Sequence, residues 1–171
     1  MAKERELMGI YEMQHYLGFY TADTLGDMLR VTETTKAEMK TDNNEYSPKY
    51  LDRKNQPKYI TGRTTTIEFE LDAVLPGDVQ AAIAKHEDDI NVPCMYMRTL
   101  DRDIATGVKC AADKLIAKRA TATMTPSPIS GEAGDPAKLS CTVSLNGDWE
   151  YGTYDPKTKK FTATVAPGIG G

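Results

Sequence analysis

Residues 59–83 read YITGRTTTIEFELDAVLPGDVQAAI, and two different periods follow one another inside that stretch. Over residues 63–72 polar and apolar side chains alternate. This puts Ile67, Phe69 and Leu71 on one side of a strand and Thr66, Glu68, Glu70 and Asp72 on the other. Pro76 then suits the first turn of a helix, and Val79, Ala82, Ile83 and His86 recur at helical spacing. The stretch therefore predicts a half-buried strand running into one short amphipathic helix, with both apolar faces turned to a single core.

Upstream, residues 30–40 (RVTETTKAEMK) alternate in the same way. Val31, Thr35, Ala37 and Met39 oppose Thr32, Thr34, Lys36, Glu38 and Lys40, although Glu33 falls on the more apolar face. Between these two expected strands lie residues 41–61, TDNNEYSPKYLDRKNQPKYIT, charged and interrupted by Pro48 and Pro57. The segment reads as a loop of ~20 residues without a core of its own, and loops of that length inside a compact domain are usually functional or ordered by a partner. The Tyr-rich start, residues 8–28, is broken by Gly9, Gly18 and Gly26 and reads as loop with at most one short strand or turn.

Downstream, residues 91–100 (NVPCMYMRTL) read as a strand with Pro93 near its beginning, where a missing donor is tolerated. Residues 107–124 fit one long strand or a strand with a short helix, and residues 125–136 are loop by composition. Residues 138–145 and 148–154 flank Asn146-Gly147, a dipeptide typical of two-residue hairpins, and a further turn over residues 155–160 leads into residues 161–165. The sum is a mainly β fold, a sandwich or partial barrel with one α-helix. The expected organisation is a single domain over residues 1–171 ending in a flexible tail at residues 167–171, PGIGG.

With 171 residues the chain is long enough for one core, and 40% hydrophobic and 27% charged residues are ordinary for a soluble globular protein. A formal net charge of −4 argues against tight nucleic-acid binding, which needs clustered Lys and Arg. Cys94, Cys110 and Cys141 are odd in number and lack metal-ligand spacing, so buried free thiols in a reducing compartment are expected. The N-terminal residues have no apolar core of a signal peptide, and no stretch approaches the ~20 apolar residues of a membrane span.

No catalytic constellation emerges. Residues 131–138 (GEAGDPAK) lack the phosphate-loop spacing, and the acidic run from Asp42 lacks the glycine and distal glutamate of a calcium loop. Glu68 and Glu70 stand ~7 Å apart on one strand face, and an exposed polar sheet accounts for them without a glycosidase site. His15 and His86 have no nucleophile partner, His86 reads as a half-buried packing residue, and Trp149 as a core anchor or a subunit contact. No metal or cofactor is implied.

The run RVTETTKAEMKTDNNEYSPKYLDRKNQPKYITGRTTTIEFELDAVLPGDVQAAI resembles the long hairpin, stacking loop and single helix of the major tail tube proteins of tailed bacteriophages and the tubes of contractile injection systems. SPISGEAGDPAKLSCTVSLNGDWEYGTYD resembles the late strands of the same fold, without the C-terminal immunoglobulin-like domain that some relatives carry. The resemblance implies a virion tail subunit, assembled in the host cytoplasm, that forms hexameric rings stacked into a hollow tube for DNA. A terminator or another ring-forming tail protein is the near alternative. A monomeric β-sandwich binding module is the more distant one. On this resemblance Thr34, Lys36, Glu38, Thr66, Glu68 and Glu70 would line the lumen. Asn44, Tyr46, Tyr50, Arg53, Lys54 and Tyr59 would contact the next ring. Implied partners are copies of the chain and other tail proteins such as tape measure, terminator and, in a contractile tail, sheath. DNA would pass without specific binding, and no membrane is involved.

Overall fold

A computed structural model describes residues 7–164; the tail expected to be flexible, residues 167–171, lies outside them. The strands are β1 (Met13–Thr21), β2 (Thr24–Leu25), β3 (Leu29–Arg30), β4 (Thr34–Tyr46), β5 (Tyr59–Asp72), β6 (Val92–Leu100), β7 (Leu115–Pro126), β8 (Lys138–Leu145), β9 (Glu150–Asp155) and β10 (Lys160–Ala163). One helix, α1 (Asp78–Lys85), follows β5. All pairings are antiparallel, in the order β2-β1-β6-β7-β8-β5-β4, with β3 also on β1 and β9 and β10 branching from β7.

The sheet rolls over on itself. Four inter-strand steps separate β1 from β5, so a flat sheet would hold them ~19 Å apart. Instead the rings of His15 on β1 and Phe69 on β5 are 5.4 Å apart, and Phe69 lies 6.2 Å from Tyr96 on β6. Ile67, Phe69 and Leu71 of β5, Cys141 and Val143 of β8, and Leu17, Cys94 and Tyr96 of β1 and β6 close around this core, with Val79 and Ile83 of α1 sealing it. Trp149 packs at its margin, 5.9 Å from Tyr96 and under the Lys118 ammonium at 4.2 Å. A smaller core, including Tyr16, Met97, Ala117 and Tyr154, fills the opposite face of β1, β6 and β7.

The roll does not close. β4 pairs with β5 alone, and between its first residues and the start of β1 an open cavity of about 520 Å³ remains, lined by Ile10, Tyr11, His15, Val31, Thr35 and Ala37 among others. The expected mainly β fold with one helix is present as an open, folded-over sheet.

Several local expectations need correction. The start of the chain is not loop: β1 is a nine-residue strand of the sheet, pairing with β6 from Met13↔Leu100 to Phe19↔Cys94 and flanked on its other side by the two-residue β2 and β3. Both of its faces are buried, Tyr16 at 5% and Leu17 at 0% exposure, so apolar residues occur at both parities and alternation is lost. The strand expected over residues 30–40 is broken at Glu33, which has φ 55°, and β4 begins after it. The loop expected over residues 41–61 is shorter, because β4 continues to Tyr46 and β5 begins at Tyr59. Pro76 precedes α1, in a cis peptide with Leu75, and Gly77 is the N-cap. Residues 107–124 contain no helix; turns lead into β7.

Asn146-Gly147 is not a hairpin turn. β8 and β9 both run antiparallel to β7 along the same edge, β8 on its second half and β9 on its first. The intervening residues form a corner, where the amides of Asn146 and Gly147 donate to the Thr121 carbonyl at 2.8 and 3.3 Å. A Cβ at position 147 would meet Thr121 Oγ1, so any larger residue there forces the Thr121 hydroxyl to turn away. Asp155 closes the true hairpin between β9 and β10, its carboxylate accepting from the amides of Lys157 and Thr158 and from the Thr158 hydroxyl.

Candidate functional site

Alternation turns Ile67, Phe69 and Leu71 of β5 to the core and Thr66, Glu68 and Glu70 to solvent, β4 is exposed along its whole length, and pairing register decides which polar groups meet. Lys36 lies opposite Glu70, Glu38 opposite Glu68, and Lys40 opposite Thr66. The ammonium of Lys36 sits 3.1 Å from Glu68 and 3.3 Å from Glu38. Lys40 reaches the same two carboxylates at 3.5 and 3.9 Å. Glu70 takes a 2.8 Å ion pair from Lys138 on β8 and a 3.0 Å hydrogen bond from the Thr35 hydroxyl.

The hydrogen bond from Lys36 holds the Glu68 carboxyl below its ordinary range, with the Lys40 charge adding to it. Lys138, then Thr35, do the same for Glu70. In turn Lys36 is raised by Glu68 and Glu38, and Lys138 by Glu70. Exposed pairs of this kind contribute little to stability. Their effect is to cancel charge within a few ångströms.

The same face extends beyond the hairpin. Ser140, Thr142 and Ser144 of β8 stand opposite Glu70, Glu68 and Thr66, and Thr125 and Thr123 of β7 stand opposite Thr142 and Ser144. Four adjacent strands thus present one polar surface, charged on β4 and β5 and hydroxylated on β8 and β7.

Of the residues picked from sequence for this face, Lys36, Glu38, Thr66, Glu68 and Glu70 meet as expected. Thr34 does not. A register shift between Thr34 and Lys36 puts Thr34 opposite Leu71, and Thr35 takes its place beside Glu70. Lys40, placed on the polar side by the alternation but not among the lumen candidates, belongs to the same ladder, and Lys138, which reaches Glu70 only through long-range pairing, carries no signal in the sequence.

Beyond the contact with β8, which begins at Thr66, residues 59–65 pair only with β4. This leaves a two-stranded arm projecting ~20 Å from the sheet before the tip loop. Asn44 belongs to the arm, beside a bulge between Asn44 and Glu45 and with its carbonyl accepting from Thr61. Tyr46 and Tyr59 pair directly where the strands end. Tyr50, Arg53 and Lys54 lie in the tip, where the Arg53 guanidinium stacks 5.6 Å from the Tyr50 ring and the Tyr50 amide donates to Gln56. Leu51 is fully exposed, and Tyr46, Tyr59 and Ile60 are largely so.

No protein-family profile matches the sequence, and no curated protein matches it. Solved structures do. The SPP1 tail tube superposes with a TM-score of 0.62 at 13% identity, covering 83% of this chain and 80% of its own. The tail of a gene transfer agent particle follows at 0.55 and 9% identity, covering 85% of this chain and 98% of its own. The chain has the tail-tube fold. A third tail-tube-like structure, from the sheath/tube terminator of an extracellular contractile injection system, gives 0.52 at 10% identity over 83% of this chain and 94% of its own. At such identities the likeness is one of fold, and the tail-tube resemblance of the long hairpin and late strands holds at that level.

Within this tail-tube fold, among the described residues, no group of three or more His, Cys, Asp or Glu is placed to hold a metal ion. No helix of the described residues is long and apolar enough to cross a membrane. Cys94 and Cys141 are buried in the main core, and burial pushes both thiols up to about 12.

Proposed function

We propose that this protein is a structural subunit of a virion tail that assembles with copies of itself into hexameric rings, stacked as a hollow tube through which DNA is delivered. The observation that carries it is the four-strand polar face, paired in charge and rich in hydroxyls, next to an edge strand whose pairing is unfinished. A 13-residue exposed edge is an association hazard in a protein that stays single, and closure across subunits into a shared barrel removes it. The polar face would then line the bore, with Lys36, Glu38, Glu68 and Glu70 at the level of the hairpin. The arm would reach the adjacent ring and present Tyr46, Tyr50, Arg53, Lys54 and Tyr59.

Partners would be further copies and the proteins that begin, measure and end the tail, in a virion assembled in the host cytoplasm. The nearest second reading is a terminator ring. The terminator similarity at a TM-score of 0.52 favours it, and the long arm favours stacking. Negative-stain microscopy of the purified chain, with light scattering over a concentration series, tests the proposal. Tubes support it, isolated rings select the terminator reading, and a species that stays monomeric at every concentration overturns both.

A further inference from the structure

The face carries a substantial cationic group that no free charge betrays. Lys36 and Lys40 stand on β4 and Lys138 on β8, the two strands that flank β5, and each has carboxylate oxygens within 4 Å: Glu38 and Glu68 for the first two, Glu70 and Asp72 for the third. Without the carboxylates these lysines, set among the hydroxyls of Ser140, Thr142 and Ser144, would form the kind of positive patch that tracks a phosphate backbone.

We propose that this surface is a masked polyanion site: the glutamates of β4 and β5 occupy the lysines so that double-stranded DNA finds neither a cation to bind nor a uniformly acidic wall. The inference rests on the bore-lining reading above and refines it. A wall of net negative charge would keep DNA away by repulsion. Three ammoniums set 2.8 to 3.9 Å from four carboxylates nearly cancel them instead, well within the ~8 Å screening length of physiological salt, leaving a surface of one net negative charge along which DNA slides. Glu68 is central, because it makes the shorter contact to each of Lys36 and Lys40, 3.1 and 3.5 Å against 3.3 and 3.9 Å from Glu38.

The test is binding of a fluorescent 20-base-pair duplex to the full chain, at concentrations where light scattering shows it unassembled. The wild type should not bind measurably. The triple variant Glu38→Gln, Glu68→Gln, Glu70→Gln should bind, with log affinity falling against log salt at a slope of about −2.7 for three lysines, or roughly 40-fold between 50 and 200 mM.

Two further variants separate masking from overall charge. Asp23→Asn, Asp88→Asn and Asp113→Asn remove the same number of negative charges at exposed positions elsewhere, and this variant should bind no better than wild type. Adding Lys36→Gln, Lys40→Gln and Lys138→Gln to the glutamate variant should abolish the gained binding. Glu68→Gln alone, which keeps the shape of the side chain, should show part of the gain if the triple variant is poorly folded by circular dichroism. The proposal is overturned if wild type binds as well as the variant, if neither glutamate variant gains affinity, if the control gains as much, or if binding survives loss of the lysines. The tube reading is judged separately, on assembly of the unmodified chain.

Discussion

His15 shows how one side chain can record the fold. Its ring lies in the main core between Phe69 and Tyr96, with Nδ1 2.6 Å from the Tyr96 hydroxyl. Burial, with the nearby Arg98 charge, lowers its pKa from 6.5 to about 4, and burial holds the Tyr96 hydroxyl protonated. The neutral imidazole and the Tyr96 hydroxyl therefore share one proton-bearing hydrogen bond with no charge on either side. In the unfolded chain His15 takes up a proton near pH 6.5, and in the folded chain only near 4, so its contribution is complete above pH 6.5 and declines as pH falls toward 4. The loss amounts to at most about 3 kcal/mol. Urea unfolding at pH 7.5 and 4.5 should show a larger drop for wild type than for His15→Asn. Equal drops would mean that His15 titrates normally. Nothing at residue 15 in the sequence announces this, because its partners come from strands more than 50 residues away. Lys36, Glu38, Glu68 and Glu70, by contrast, were legible from alternation alone. Thr34 was misjudged since the bulge that displaces it depends on pairing with Leu71.

At the scale of elements, the arm is where local pattern and long-range structure agree least and function is proposed most. Tyr46 and Tyr59 close the ladder as a direct pair. Replacing residues 47–58 with Asn-Gly should therefore cap the arm with a two-residue hairpin turn and leave the rest of the fold intact. The expected result is a thermal midpoint within a few degrees of wild type together with loss of tubes under the microscope. Normal tubes from this variant would take the tip out of assembly. The sequence showed the β5–α1 junction because each element keeps its own period there. It hid β1, which is covered on both faces, and it hid the corner at Asn146-Gly147. The same dipeptide that turns a two-residue hairpin here lets one strand leave β7's second half and its successor join the first.

For the whole molecule, the rolled sheet buries two cores yet stops short of closing at β4. Met39 is on the core-side parity of β4, opposite Ile67, yet remains 38% exposed because no strand of the described residues lies over it. Met39→Glu should then change the stability of the isolated subunit by less than about 1 kcal/mol, as for other exposed positions. It should also block polymerisation, since that face would be covered in the tube. Unfolding midpoints and light scattering read the two effects separately, and a variant that polymerises normally would leave β4's apolar side without a partner. The overall class, mainly β with one helix, was readable from the periods of the strands and of α1. The unclosed edge was not, because it is defined by which strand lacks a neighbour.

In the proposed tube, copies of this chain complete its sheet around a shared bore. A cryo-electron microscopy reconstruction of the assembled protein decides whether they do. The expected map is a hollow tube with Lys36, Glu38, Glu68 and Glu70 on the inner wall and the free side of β4 covered by a neighbouring subunit; that ladder on the outer surface, or β4 still open to solvent, rules the shared bore out.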